Sequence, residues 1–299
     1  MKTIELSGRP SIVSQYLRAA VARKSGPVPN QQETLADIRL ADVRADREKL
    51  RAYRSVCGFA GSSSLPVTYP FVLALPLHLE LMLSDAFPFS PVGLVHIRNR
   101  IHQHRIISNE ATLALHCTLS GPRTAGKGLE FDIHTQVQAG EETVWECTST
   151  MLKRTGDGGT SAGGKKPAPG ADDDDTAAPD HSEPWDLPAN LGRRYGKASG
   201  DVNPIHLHAL SAKLFGFPRA IAHGMWTKAR CLAALEPMLP AGPCTVDVAF
   251  KLPIFLPGQV QFSYRRSGAE AAEGPQRIEF DVKDDKGEKP HLTGWVETG

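Results

Sequence analysis

Apolar residues recur along this chain with two periods, one helical and one extended. Met225, Ala229, Leu232 and Leu235 fall on one helical face, Lys228 and Arg230 point elsewhere, and Pro237 stops the run. The stretch 72–83 is apolar nearly throughout, apart from His78 and Glu80, with Pro76 near its first turn, and predicts a second, buried helix. A third pattern, amphipathic over 11–22, predicts a helix that packs on the rest of the chain rather than a targeting segment. Alternating or continuous apolar runs separated by Gly/Pro clusters follow each of the first two helices. They predict strands at 93–100, 111–119, 129–137 and 144–152, then at 245–251, 260–265, 277–282 and 292–297.

The same unit is therefore written twice. Tyr53-Arg-Ser-Val-Cys-Gly58 aligns with Tyr195-Gly-Lys-Ala-Ser-Gly200 at an offset of 142. Pro66, Pro88 and Pro91 align with Pro218, Pro240 and Pro243 at 152, and Trp145 with Trp295 at 150. The ten-residue change of offset means that the second copy holds a segment the first lacks. That segment carries Asn203, Pro204 and His206. Where the second copy has Asp201 and His223-Gly224, the first has Phe59 and Phe71-Val72. One copy looks chemical and the other apolar.

Between the copies, 156–184 is rich in Gly, Ala, Pro and Asp and predicts a flexible linker, dividing the chain into 1–155, 156–184 and 185–299. The Asp172 to Asp175 run lacks the spaced oxygen ligands of a calcium loop and is read as solvated linker. The 34 basic and 33 acidic side chains leave no field that would favour a nucleic-acid partner. Five scattered cysteines without a C-x-x-C pair argue against a disulfide framework and suit a reducing compartment. Residues 1–24 are interrupted by Arg9, Pro10, Gln15 and Arg18, which is neither a signal peptide nor a membrane span, so a cytoplasmic location is expected.

The chemistry concentrates in Ser199-Gly-Asp-Val-Asn-Pro-Ile-His206, where a carboxylate, an amide and an imidazole share one Gly- and Pro-constrained turn. The run G-D-x-N-P-x-H, followed by Gly224, resembles the hydratase 2 signature of the MaoC-like (R)-specific enoyl-CoA hydratases and acyl dehydratases, a hotdog-fold family. The resemblance implies an α+β double hotdog, two antiparallel sheets each wrapping a central helix and joined edge to edge as a pseudo-dimer, with a degenerate N-terminal half and a catalytic C-terminal half. It implies (R)-specific hydration of 2-enoyl thioesters, or the reverse dehydration of (3R)-hydroxyacyl thioesters carried on CoA or acyl-carrier protein.

Asp201 and His206 are then the acid/base pair, with the choice of formal base open. Asn203 holds the water or braces the pair, and Gly224 at the start of a helix offers an N–H to the enolate oxygen. Ser199, Gly200, His223 and Phe59 are the candidate substrate-side residues. Phe59 and the apolar first copy would line an acyl tunnel, and Arg193, Arg194, Lys197 or Arg219 would meet phosphates. No cofactor and no metal are expected; a zinc set of His206, His208 and His223 is the metal alternative weighed. A hotdog thioesterase would want a carboxylate on the central helix, and the second helix offers only Glu236 at its far end. A non-catalytic acyl-thioester-binding subunit would have let the Asp/His pair decay. Pairing of two such chains into a homodimer is compatible with the sequence.

Overall fold

The computed structural model describes residues 2–4, 6, 8–22, 24, 33–91, 93–154, 178–267 and 276–299. The N-terminal part runs β1 (Lys2–Ile4), α1 (Ile12–Val21), β2 (Thr34–Val43), α2 (Arg47–Cys57), α3 (Tyr69–Leu83), β3 (Val95–Gln103), β4 (Leu113–Ala125), β5 (Gly128–Ala139) and β6 (Glu142–Arg154). The C-terminal part runs β7 (His181–Leu187), α4 (Leu191–Ser199), α5 (Pro204–Leu207), α6 (Ala209–Leu214), α7 (Gly224–Leu235), β8 (Cys244–Phe250), β9 (Gly258–Ser267), β10 (Gln276–Asp284) and β11 (Pro290–Thr298).

All strands join one sheet in the order β1-β2-β4-β5-β6-β3-β8-β11-β10-β9-β7. The half β2-β4-β5-β6-β3 is mirrored by β7-β9-β10-β11-β8, so the topology repeats about the β3–β8 junction. There the two halves pair antiparallel from Arg98 opposite Ala249 to Gln103 opposite Cys244. This is the expected double hotdog. Its central helices lie inside: nearly every residue of α3 is buried, as is the apolar face of α7. The tyrosines of the repeated hexapeptide meet in the middle, with the rings of Tyr53 and Tyr195 5.9 Å apart. Each hexapeptide ends a helix on a left-handed glycine, Gly58 at φ 88° and Gly200 at φ 82°, a conformation that costs other residues.

Several sequence expectations need correcting. Trp145 and Trp295 are not equivalent positions. Trp145 faces the core and donates to the carbonyl of Val67 at 2.8 Å, whereas the Trp295 ring lies under the guanidinium of Arg277 at 4.3 Å. A one-residue slip in a strand reverses the face, so the offset of 150 is a coincidence of composition. α3 starts a turn earlier than expected, at Tyr69, which puts Pro76 inside the helix rather than in its first turn. The linker ends sooner than 184. Residues 181–184 belong to β7, whose partner among the described residues is β9 alone; at that sheet edge Pro184 needs no second ladder partner. Residues 155–177, including the Asp172 to Asp175 run, lie outside the described residues. Among the described residues no helix is long and apolar enough to cross a membrane.

Candidate active site

The segment from Gly200 to His223 joins α4 to α7, and its counterpart from Gly58 to Thr68 joins α2 to α3 without any helix. In the longer connection, the hydroxyl of Ser199 accepts from the N–H of Asp201 at 3.1 Å and donates to the carbonyl of Tyr195 at 2.9 Å. Asn203 caps α5 through its side-chain oxygen, which accepts from the N–H of Ile205 at 3.4 Å, and its own N–H donates to Oδ1 of Asp201 at 3.3 Å. These local bonds fix the turn. They also make Ser199 and Asn203 residues that brace the carboxylate.

The turn lies tight on α4. A Cβ on Gly192 would stand 1.9 Å from the carbonyl oxygen of His206, and one on Gly196 would stand 2.8 Å from that of Asp201. Only glycine permits this approach, a requirement that sequence reading missed. On the other side a Cβ on Gly200 would meet Ile12 of α1 at 2.6 Å.

Asp201, His206 and His223 converge, with donor atoms within 4.8 Å of one another. The rings of His206 and His223 stack at 3.7 Å between centroids. Nδ1 of His206 lies 2.8 Å from the carbonyl oxygen of Ile221 and therefore carries the hydrogen, which leaves Nε2 with the lone pair. Nε2 of His223 donates to the backbone oxygen of Asp201 at 3.0 Å, and its buried Nδ1 finds no partner among the described residues. His223 thus belongs to the site more closely than its sequence reading as a substrate contact suggests. It supports Asp201 from behind.

Electrostatics separates the roles. Burial, reinforced by His206, pushes His223 down to about 3, so it stays neutral. Burial also lowers His206, and the charge of Asp201 offsets only part of that effect. Burial alone would raise the Asp201 carboxyl, but His223, His206, the Tyr16 hydroxyl and the Asn203 N–H together bring it below its ordinary range. At neutral pH the site holds a carboxylate beside a neutral imidazole.

Tyr16 is the residue the sequence did not reveal. Its hydroxyl donates to Oδ1 of Asp201 at 2.5 Å, from a helix read only as packing. Gly224 opens α7 directly after His223, and no side chain among the described residues caps that terminus, so its first N–H groups lack helical partners. The Phe250 ring stands 3.0 Å from where a Gly224 Cβ would be and 5.0 Å from the His96 ring, which in turn stacks on Phe71 at 6.0 Å. An aromatic file thus leads from the α7 terminus to α3. A quarter of the Asp201 side-chain surface remains accessible, so Tyr16 does not seal the site.

Other expected residues fall elsewhere. Phe59 stacks on Tyr53 at 6.3 Å, and the next residue, Ala60, donates its N–H to Glu236, beyond the opposite end of α7 from Asp201. The duplicated sequence put Phe59 at the sister position, which the fold sends to the sister side. His208 lies beside Arg193 at 3.5 Å and outside the trio, so the zinc set that needed it is not formed. Arg193 is further engaged with the carbonyl of Leu207 and Arg219 with that of Pro257. A hollow of about 360 Å³ lined by Lys2, Thr3, Ile4, Arg18 and Glu80 does not include the trio.

Residues 176–287 match the model of the MaoC like domain. The chain is 31% identical over 293 residues to 3-hydroxyacyl-thioester dehydratase X of Mycobacterium tuberculosis, covering 96% of this chain and 98% of that protein. The chain belongs to the MaoC-like dehydratase family. It is a hydro-lyase by that membership. A crystal structure of HtdX from the same organism superposes with a TM-score of 0.71 at 27% identity, over 87% of this chain and 98% of that one. A MaoC-like dehydratase from Phytophthora capsici has the same fold, with a TM-score of 0.69 at 19% identity over 88% and 94% of the two chains. The matched domain begins after β6, so the first half and Tyr16 lie outside it.

Proposed function

We propose that this dehydratase interconverts trans-2-enoyl thioesters and (3R)-hydroxyacyl thioesters on a CoA or acyl-carrier-protein handle. The observation that carries the reading is the convergence of a neutral imidazole, an ionised carboxylate and an uncapped helix terminus around one accessible spot. In the hydration direction Asp201 holds a water through Oδ2, and Nε2 of His206 takes one of its protons. The oxygen then bonds to C3. The π electrons move toward the thioester oxygen, where the N–H of Gly224 and the α7 dipole receive the charge. Collapse of that enolate takes the proton from His206 onto C2, so one water is added and both groups return to their starting state. The acyl chain would run along Phe250 and Phe71 toward the apolar helix α3, and the chain's location is proposed to be cytoplasmic.

The test follows loss of enoyl absorbance with crotonyl-CoA and longer enoyl-CoA substrates, with chiral analysis of the product. The wild type is expected to form the (3R) alcohol, and His206→Ala and Asp201→Ala to lose about 10²- to 10⁴-fold in kcat. No hydration with any chain length, or a (3S) product, would overturn the reading. Because the three donors lie so close, the assay is run with and without EDTA. Loss of turnover on chelation would replace acid–base chemistry by a metal.

A further inference from the structure

The N-terminal helix α1 reaches across to the Ser199–His206 turn of the other half of the chain. Its inward face is Ile12, Gln15, Tyr16 and Ala19, the i, i+3, i+4 and i+7 positions of a helix, and three of these side chains are anchored or in contact. Gln15 donates to the Pro76 carbonyl at 2.7 Å and to Glu80 at 2.9 Å, while Ile12 lies against Gly200. Arg18 adds a forked ion pair to Glu80 at 3.0 to 3.1 Å. The helix is held on α3 by contacts independent of Asp201, and from that platform the phenol of Tyr16 meets the carboxylate.

We infer that Tyr16 is a positioning residue for the dehydratase reaction: its hydroxyl pins Oδ1 of Asp201, so that Oδ2 alone faces the substrate water. The inference rests on the proposed role of Asp201. Two donors, the Tyr16 hydroxyl and the Asn203 N–H, converge on Oδ1, while Oδ2 lies 3.9 Å from Nε2 of His223 and has no closer partner among the described residues. A carboxylate with one oxygen committed cannot rotate, and a near-attack geometry is kept between turnovers. Burial and the adjacent Asp201 charge keep the phenol protonated, so it remains a donor over the working range. The degenerate half thus completes the site of the active half.

The test compares Tyr16→Phe with Arg18→Ala in the full chain. Tyr16→Phe keeps the ring and removes the donor; Arg18→Ala loosens α1 without touching Asp201. Tyr16→Phe is expected to lower kcat about ten- to a hundredfold, the value of one hydrogen bond to a charged group, with KM little changed. The carboxyl titration of Asp201, followed by carbon-13 NMR, should move to higher pH in Tyr16→Phe and stay put in Arg18→Ala. The groups facing Asp201 besides Tyr16 are His206, His223, Tyr195 and His96, and neither substitution alters them. An unmoved Asp201 titration in Tyr16→Phe, or equal loss of kcat in both variants, would overturn the inference. A wild type without hydratase activity would sink the proposed function instead, and the NMR titration would still decide whether Tyr16 holds the carboxylate.

Discussion

The imidazole of His206 is tethered through Nδ1 to the carbonyl of Ile221 at 2.8 Å, fifteen residues away on the approach to α7. That bond selects the tautomer that leaves Nε2 with the lone pair, and it ties the Ser199–His206 turn to the segment preceding the α7 N-terminus.

The proposed mechanism requires His206 neutral and Asp201 ionised, and both conditions are met on the alkaline side of their pKa values. Burial depresses His206 below its ordinary 6.5, so activity should fall with decreasing pH around a midpoint under that value. A kcat/KM profile against pH checks this; a midpoint at or above 6.5 contradicts the neutral-imidazole arrangement.

Gly192→Ala should damage catalysis out of proportion to stability. The added carbon would sit 1.9 Å from the His206 carbonyl oxygen, so the turn must move away from α4. A displacement of about 1 Å is enough to cost roughly 100-fold in rate. Steady-state kinetics beside a thermal melt separate the two effects, and near-normal kcat would show that the turn tolerates the shift.

Acid should destabilise the fold before the surface carboxylates titrate. Burial lowers His78 to about 3, His223 to about 3 and His96 to about 4, from an ordinary 6.5. The unfolded chain therefore binds these protons first. The stability is fully present above 6.5 and drains as pH falls toward the folded values, by at most about 1.4 kcal/mol per pH unit for each histidine. Urea midpoints between pH 7 and 4 should fall accordingly, and His78→Gln should flatten the slope.

Lys228→Met tests the join between the halves. The buried ammonium donates to both oxygens of Asn99 on β3, at 3.0 and 2.7 Å, and to the carbonyl of Val246 on β8 at 3.4 Å. Burial lowers this lysine to about 7, so the wild type should gain stability as pH rises from there toward 10.5, a gain the variant lacks. At neutral pH the variant leaves Asn99 Oδ1 short of its donor and should lose about 1 to 3 kcal/mol. Equal unfolding curves for both proteins at pH 7 and 9 would show that the ammonium contributes nothing.

Much of this architecture was legible because its signals are local. Each of the eight expected strands overlaps an observed one, and the helix ending at Leu235 is observed to end there, since alternation and a following proline act within a few residues. The strands β2 and β7 escaped because Ala36, Asp37 and Pro184 blur the period. The turn from Ser199 to His206 could be found because its chemistry lies in one short run. Tyr16 could not, because its partner is 185 positions away and only tertiary packing brings them together. Val13, Leu17 and Val21, the apolar residues that would be expected to face inward, are 64, 67 and 78% exposed, and the helix instead turns Gln15 to the core. The tryptophan match erred for a related reason: spacing alone does not report which side of a sheet a residue occupies.

The antiparallel seam of β3 with β8 has an evolutionary consequence. In an assembly of two identical subunits every substitution is made twice, so a phenylalanine installed in place of an acid would disable both centres at once. Here the partners are tethered and encoded separately. Under the proposed division of labour, one lobe is free to surrender its chemistry and to lend the other a helix, and neither can be exchanged for a foreign copy without breaking the chain.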